Sequence, residues 1–172
     1  MVPLGVSAAA VVHVGHAVGR DDPAGVRRSA AAALVCGGGF MAGCAAALIG
    51  LPGLWAAAFT SAPDVRALAV GLIPVAGFFQ VFDGLQVVAA GILRGLGDTR
   101  APMVVNLLGF WLVGLPVSLL LGFTLDLGPP GLWWGFVAGL GAVAALLMVR
   151  VATRLRRPVR RLVVDGPAGP HS

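Results

Sequence analysis

Five apolar runs, each long enough to cross a bilayer, divide the chain: Met1 to Gly19, Ser29 to about Phe59, Val65 to Leu93, Ala101 to Phe123 and Gly131 to Val151. A hydrocarbon core about 30 Å thick takes roughly 20 helical residues at about 1.5 Å each. Within it every backbone N–H and C=O must find a partner inside the protein, and a single segment achieves that only as a helix. The rest of the composition agrees, with 58% of residues hydrophobic and 11% charged, too few charges to coat a soluble domain. The fold class expected is all-α integral membrane, a bundle of five transmembrane helices. The second run is too long for one span. Leu51-Pro52-Gly53 should break it near residue 50 and leave a short interfacial piece. The spans are then about 1–19, 29–50, 65–93, 101–123 and 131–151.

Charge sets the expected orientation. Arg20, Arg27 and Arg28 follow the first run, Arg94 and Arg100 the third, and Arg150, Arg154, Arg156, Arg157, Arg160 and Arg161 the fifth, whereas Arg66 alone falls on the other side. Basic residues concentrate on the cytoplasmic side of membrane proteins. The expectation is a multi-pass protein of the inner or plasma membrane, N-terminus outside and C-terminus in the cytoplasm. The sequence pI of about 11.3 is accounted for by these topology-setting arginines, so nucleic acid is not an expected partner. The end from Pro158 to Ser172 has neither period nor apolar face and reads as a disordered cytoplasmic tail. Cys36 and Cys44 are eight residues apart, roughly 12 Å along a helix, too far for a disulfide; they read as buried small hydrophobes. Gly and Ala crowd GGGFMAG (37–43), GLIPVAG (71–77) and GFVAGLGAVAA (135–145), a composition that lets helices pack closely in lipid.

Against this background Asp83 stands out. It precedes the boundary residue Arg94 by eleven positions, which places it roughly 16 Å into the membrane, near the midplane. An ionisable group there costs about 2.5 kcal/mol or more on insertion scales and by default faces a cavity or a partner. Gln80 and Gln86, three residues to either side, extend a polar stripe with Ala76 and Ala90. Pro74 removes a backbone hydrogen bond one to two turns earlier and frees a carbonyl. A carboxylate with amides and a loosened carbonyl suits Na+ or H+. The alternative is an Asp hydrogen-bonded to a neighbouring helix as glue. Phe78, Phe79 and Phe82 either line a pocket for aromatic cations or face lipid.

The turn Arg94-Gly95-Leu96-Gly97-Asp98-Thr99-Arg100-Ala101-Pro102 joins the third and fourth spans. Its glycines permit a tight turn, Asp98 or Thr99 can cap the next helix, and Pro102 suits a first turn. With no strand before it, the Gly-x-Gly is not a nucleotide fingerprint. His13 and His16, three apart in the first span, lack further ligands for a metal site and read as a bundle-facing or water-facing pair. Trp133 and Trp134 suit an interfacial aromatic belt. No arrangement of residues suggests an enzyme, a cofactor or a bound metal.

FQVFDGLQVVAAGILRGLGDTRAPMVVNLLGFWLVGLPVSLLLGF (79–123) resembles the multidrug and toxic compound extrusion (MATE) family. The resemblance continues through GLWWGFVAGL (131–140), reaches back to MVPLGVSAAAVVHVGHAVGRDDPAGVRRSA (1–30), and so covers the chain to about Arg157. Its most specific parts are Phe-Asp-Gly-x-Gln and Leu-Arg-Gly-x-Gly-Asp-Thr-Arg-x-Pro. The resemblance implies antiporters that expel cationic amphiphilic drugs in exchange for Na+ or H+, with twelve spans in two six-helix lobes around a cavity. This chain would supply spans eight to twelve of the C-terminal lobe. Asp83 would fall on the membrane-embedded acidic residue of span ten, which contributes to cation binding. The N-terminal lobe, and span seven with its acidic partner, have no counterpart here, so the chain is expected to be a fragment that needs the missing lobe or another chain. Other readings are a lipid-linked saccharide flippase of the same superfamily, which would need mid-span cationic groups, and a non-transporting membrane interaction protein.

Overall fold

The computed structural model describes residues 1–156; the tail predicted over 158–172 lies outside the described residues. The chain forms helices α1 (Val2–Gly19), α2 (Pro23–Gly50), α3 (Pro52–Phe59), α4 (Pro63–Gly95), α5 (Arg100–Leu108), α6 (Leu115–Leu119) and α7 (Gly128–Arg156). Five segments are long and apolar enough to cross a membrane: α1, α2, α4, Arg100–Thr124 and α7.

Local chemistry sets the boundaries. Asp21 adopts the left-handed region at φ 50 after α1. The Asp22 N–H then bonds back to the Ala17 carbonyl and the Asp21 N–H to that of Val18, closing the helix end. Asp22 begins α2 at once: its Oδ1 accepts from the Gly25 N–H at 2.8 Å and Pro23 fills the first helical position. The second span therefore starts at Pro23, ahead of the apolar run that opens at Ser29. The break after Gly50 falls at Leu51-Pro52, and the Trp55 indole donates to the Ala47 carbonyl at 3.1 Å, folding α3 back on the end of α2.

The fourth span departs from a plain α-helix. It widens into π-type turns at Gly109–Gly114 and Leu120–Thr124, on either side of α6. Pro116 lies just past the first of these; its ring has no N–H and crowds the preceding turn, so the backbone there opens.

Helix α4 is the hub, packed against α1, α2 and α7, while the fourth span packs on α7. The core joins Val14 and Val26 to Val88, Ile92, Leu93, Val143 and Leu147, all essentially without exposure. Close approach, more than polarity, holds the outer layer together. Gly131, Gly135 and Gly139 form one face of α7, and a Cβ added at Gly135 would overlap the Ser118 backbone. Ser118 Oγ uses this proximity to donate to the Leu132 carbonyl at 2.8 Å, as Ser7 Oγ on α1 does to the Val87 carbonyl of α4 at 2.9 Å. Outside, Trp111, Leu112, Phe123 and Leu146 are exposed, the reverse of a soluble surface. The protein is a multi-pass membrane protein.

Arg20, Arg27, Arg28, Arg94, Arg100, Arg150, Arg154 and Arg156 share the bundle end where α1, α4 and α7 finish, and Arg66 sits at the other. One expectation is corrected. Cys36 is exposed and Cys44 partly so, both as free thiols, because no described helix covers that face of α2. His13 and His16 are likewise exposed on α1.

Candidate functional site

Asp83 lies two-thirds of the way along α4 and is half-buried. The ion pairs among the described residues involve Asp22 and Asp98, and Asp83 takes part in none. Its helical neighbours carry buried polar atoms that lack partners. Gln80 Nε2 and Gln86 Oε1 are buried without hydrogen-bond partners among the described residues, as is Asn106 Oδ1 on α5. Buried polar atoms are ordinarily paired, and each one left open costs about 1–3 kcal/mol. Asp83 thus lies on its helix three residues from each of two glutamines that hold a buried polar atom without a partner. Such a set can accept a proton or ligate a small cation by oxygen atoms. Among the described residues, no group of His, Cys, Asp or Glu is arranged to hold a metal ion.

The phenylalanines divide between two roles. Phe79 packs edge-on against Trp133, with ring centres 6.1 Å apart, and Phe78 packs on Trp134 at 5.9 Å. Phe79 and Trp133 open with Phe110, Leu132 and Phe136 onto an apolar groove of about 520 Å³ between α4, the fourth span and α7. The Phe82 ring lies beside Gly141, 3.8 Å from where a Cβ there would sit, and fills a helix contact rather than this groove. Pro74 sits half-buried within α4, which continues unbroken to Gly95.

The turn after α4 builds a second cluster. Gly97 takes φ 78, a region glycine enters without steric cost. That allows the Asp98 N–H to reach the Leu93 carbonyl at 2.8 Å and the Gly97 N–H that of Arg94 at 3.0 Å. The chain reverses, and Asp98, 7% exposed, points at the last turns of α7. Arg150 and Arg154, one helical turn apart, each donate to its Oδ2 through Nε (3.0 and 2.9 Å) and a terminal nitrogen (2.9 Å in both). Oδ1 accepts from the Ala101 N–H at 3.4 Å in the first turn of α5. Burial pushes the Asp98 carboxyl up, but the hydrogen bonds from Arg154 and Arg150 outweigh it and hold the carboxyl below its ordinary range. Asp98 therefore ties α4, α5 and α7 together. Pro102 is buried beside this turn, whereas Arg94 and Arg100 are exposed and unpaired among the described residues. Gly95 presses on α1, where a Cβ would come within 2.9 Å of Val14. Sequence reasoning assigns Arg150 and Arg154 to topology alone; their spacing of four on one helix face is the signal that marks them as a pair.

The MatE family model matches residues 1–120, seven-tenths of the chain. The chain belongs to the MatE family. The match takes in Gln80, Asp83, Gln86 and Asp98 and stops short of Arg150 and Arg154. Among MatE-type relatives, the probable multidrug resistance protein NorM of Brucella suis is 43% identical over 155 residues, 87% of this chain and 33% of the relative. The protein of the same name from Rhodopseudomonas palustris is 45% identical over 155 residues, 87% of this chain and 32% of the relative. The crystal structure of the eukaryotic MATE transporter AtDTX14 superposes with a TM-score of 0.80 at 27% identity, covering 90% of this chain and 36% of that one. The chain thus spans about a third of the length of the curated relatives it matches.

Proposed function

We propose that these five spans act within the C-terminal lobe of a secondary antiporter that exports cationic amphiphilic drugs in exchange for Na+ or H+. Asp83 is the coupling carboxylate, and Gln80 and Gln86 are its amide neighbours. The observation that carries this reading is a carboxylate near the membrane midplane with no ion-pair partner among the described residues. A cation or proton at Asp83 removes its charge and biases the cavity toward one face of the membrane; a cationic drug competes for the same charge. The aromatic groove at Phe79 and Trp133 offers ring faces to such a drug. Alternating access needs two halves moving about a shared site, so the working unit includes the N-terminal lobe or another chain. The chemistry is transport: no covalent bond changes and no cofactor is required. The arginine-rich end faces the cytoplasm of the inner or plasma membrane.

Two observations weigh against the alternatives. A lipid-linked saccharide flippase would place cationic groups at mid-span, and the described arginines stand at helix ends. An Asp acting as glue would bond a neighbouring helix, and Asp83 is in none of the side-chain bonds that link these helices.

The test is Asp83→Asn in the complete transporter, reconstituted in vesicles with an imposed sodium or proton gradient and a fluorescent cationic dye. Dye transport should fall to the level of protein-free vesicles while the amount of folded protein stays unchanged. Undiminished gradient-driven transport would sink the assignment. Loss of monodisperse protein would instead favour the glue role. Varying sodium at fixed pH then separates the two coupling ions.

A further inference from the structure

A groove of about 490 Å³ runs between α1 and α2, and neither α4 nor the aromatic site contributes to it. Its walls differ along its length. Arg28, Ser29 and His13 stand at the arginine-rich end; Ala9, Ala32, Val6 and Cys36 line the remainder. From Arg28 to Cys36 is eight residues of α2, roughly 12 Å, close to the roughly 15 Å depth of one leaflet's hydrocarbon. The groove therefore opens at the membrane boundary and ends near the midplane.

The polar end has cationic donors to spare. Arg28 has an 80% exposed side chain, and its partner Asp22 stands 4.0 Å away, at the limit of an ion pair. Asp22 already uses Oδ1 on the Gly25 N–H. A guanidinium held this loosely keeps its fork free for an oxyanion. Ala10 and Ala33 pack at the floor of the groove, and the small side chains of Ala9 and Ala32 above them leave it open along its length. A cationic amphiphile would be repelled by Arg28, so the groove does not serve the proposed drug path.

We propose that the α1–α2 groove binds an anionic phospholipid, with its phosphate on Arg28 beside Ser29 and His13 and one acyl chain lying along Ala9 and Ala32 as far as Cys36. Basic pockets between spans at a membrane face select such headgroups. The charge at one end and the one-leaflet depth match the headgroup and acyl chain of a lipid of that leaflet.

The experiment uses the full chain in a neutral detergent, with phosphatidylglycerol and phosphatidylcholine of identical chains offered as probes and read by native mass spectrometry. Phosphatidylglycerol should be retained in preference. Arg28→Gln should reduce that preference by about fivefold, the worth of one arginine near an anionic surface. The double variant Ala9→Leu/Ala32→Leu, at two exposed positions, should expel the lipid while leaving Arg28 in place. A phosphatidylglycerol carrying a diazirine at mid-chain should label residues 32–36 in the unaltered protein, which keeps the proposal testable if a variant misfolds. Equal retention of both lipids, an unaffected double variant, or label spread evenly over the five spans would each overturn it.

Discussion

Replacing Asp98 by alanine tests whether one buried carboxylate holds the arginine-rich end of the bundle together. The substitution removes the anion shared by Arg150 and Arg154 and the cap on Ala101. Hydrogen bonds to charged groups contribute about 1.5–3 kcal/mol when buried, while exposed ion pairs give about 0–1 kcal/mol. Asp98 is 7% exposed, but the two arginine side chains are 45% and 39% exposed. An intermediate value of about 1 kcal/mol per arginine is therefore appropriate, and the cap adds about 0.5–1 kcal/mol. Asp98→Ala should destabilise by about 2–3 kcal/mol, a fall in Tm of about 4–12 °C for a chain of this size. Tryptophan fluorescence during heating in detergent reads it directly. Arg150→Ala or Arg154→Ala alone should cost less than half as much, because the other arginine still neutralises Asp98, and the double variant, which leaves the buried carboxylate without a counter-ion, should cost at least as much as Asp98→Ala. Pairing holds the Asp98 carboxyl below its ordinary range, so its contribution is complete above about pH 4. It is lost only as pH falls further, through the folded-state pKa. The penalty should thus be the same at pH 6 and pH 8 and shrink below pH 4. A fall of less than 2 °C at pH 7, or a penalty no greater than that of either arginine, would refute the clamp.

Gly135→Val should abolish the monodisperse gel-filtration peak, since even a Cβ there overlaps the Ser118 backbone. Gly71→Ala meets nothing within 4 Å and should keep that peak while raising stability by up to about 1 kcal/mol through helix propensity. Ser118→Ala removes the donor to the Leu132 carbonyl and should cost about 0.5–1.5 kcal/mol, read as a small drop in Tm without loss of the peak.

How far this fold is legible in its sequence depends on what the lipid leaves as signal. Span number and the break at Leu51-Pro52 are legible because they depend on length and on proline, which the bilayer does not disguise. The helix starts are less so: Asp22-Pro23 is a cap, but it sits among charges that resemble a loop, so α2 extends upstream of its apolar run. Which face of a span is buried is the harder question. In water the buried face is the apolar one, whereas in lipid both faces are apolar and polarity stops discriminating. Cys36 shows the consequence, apolar in character and yet exposed. Size carries the information instead: Gly131, Gly135 and Gly139 recur every fourth residue and mark the face of α7 that meets the fourth span. The same reasoning separates the two aspartates. Asp83 is conspicuous in sequence because nothing around it is charged. Asp98 hides among arginines, and its partners lie 52 and 56 residues away. Only the left-handed turn at Gly97 brings them together, and a Gly-x-Gly-Asp followed much later by two arginines one helical turn apart is the pattern that would have predicted it.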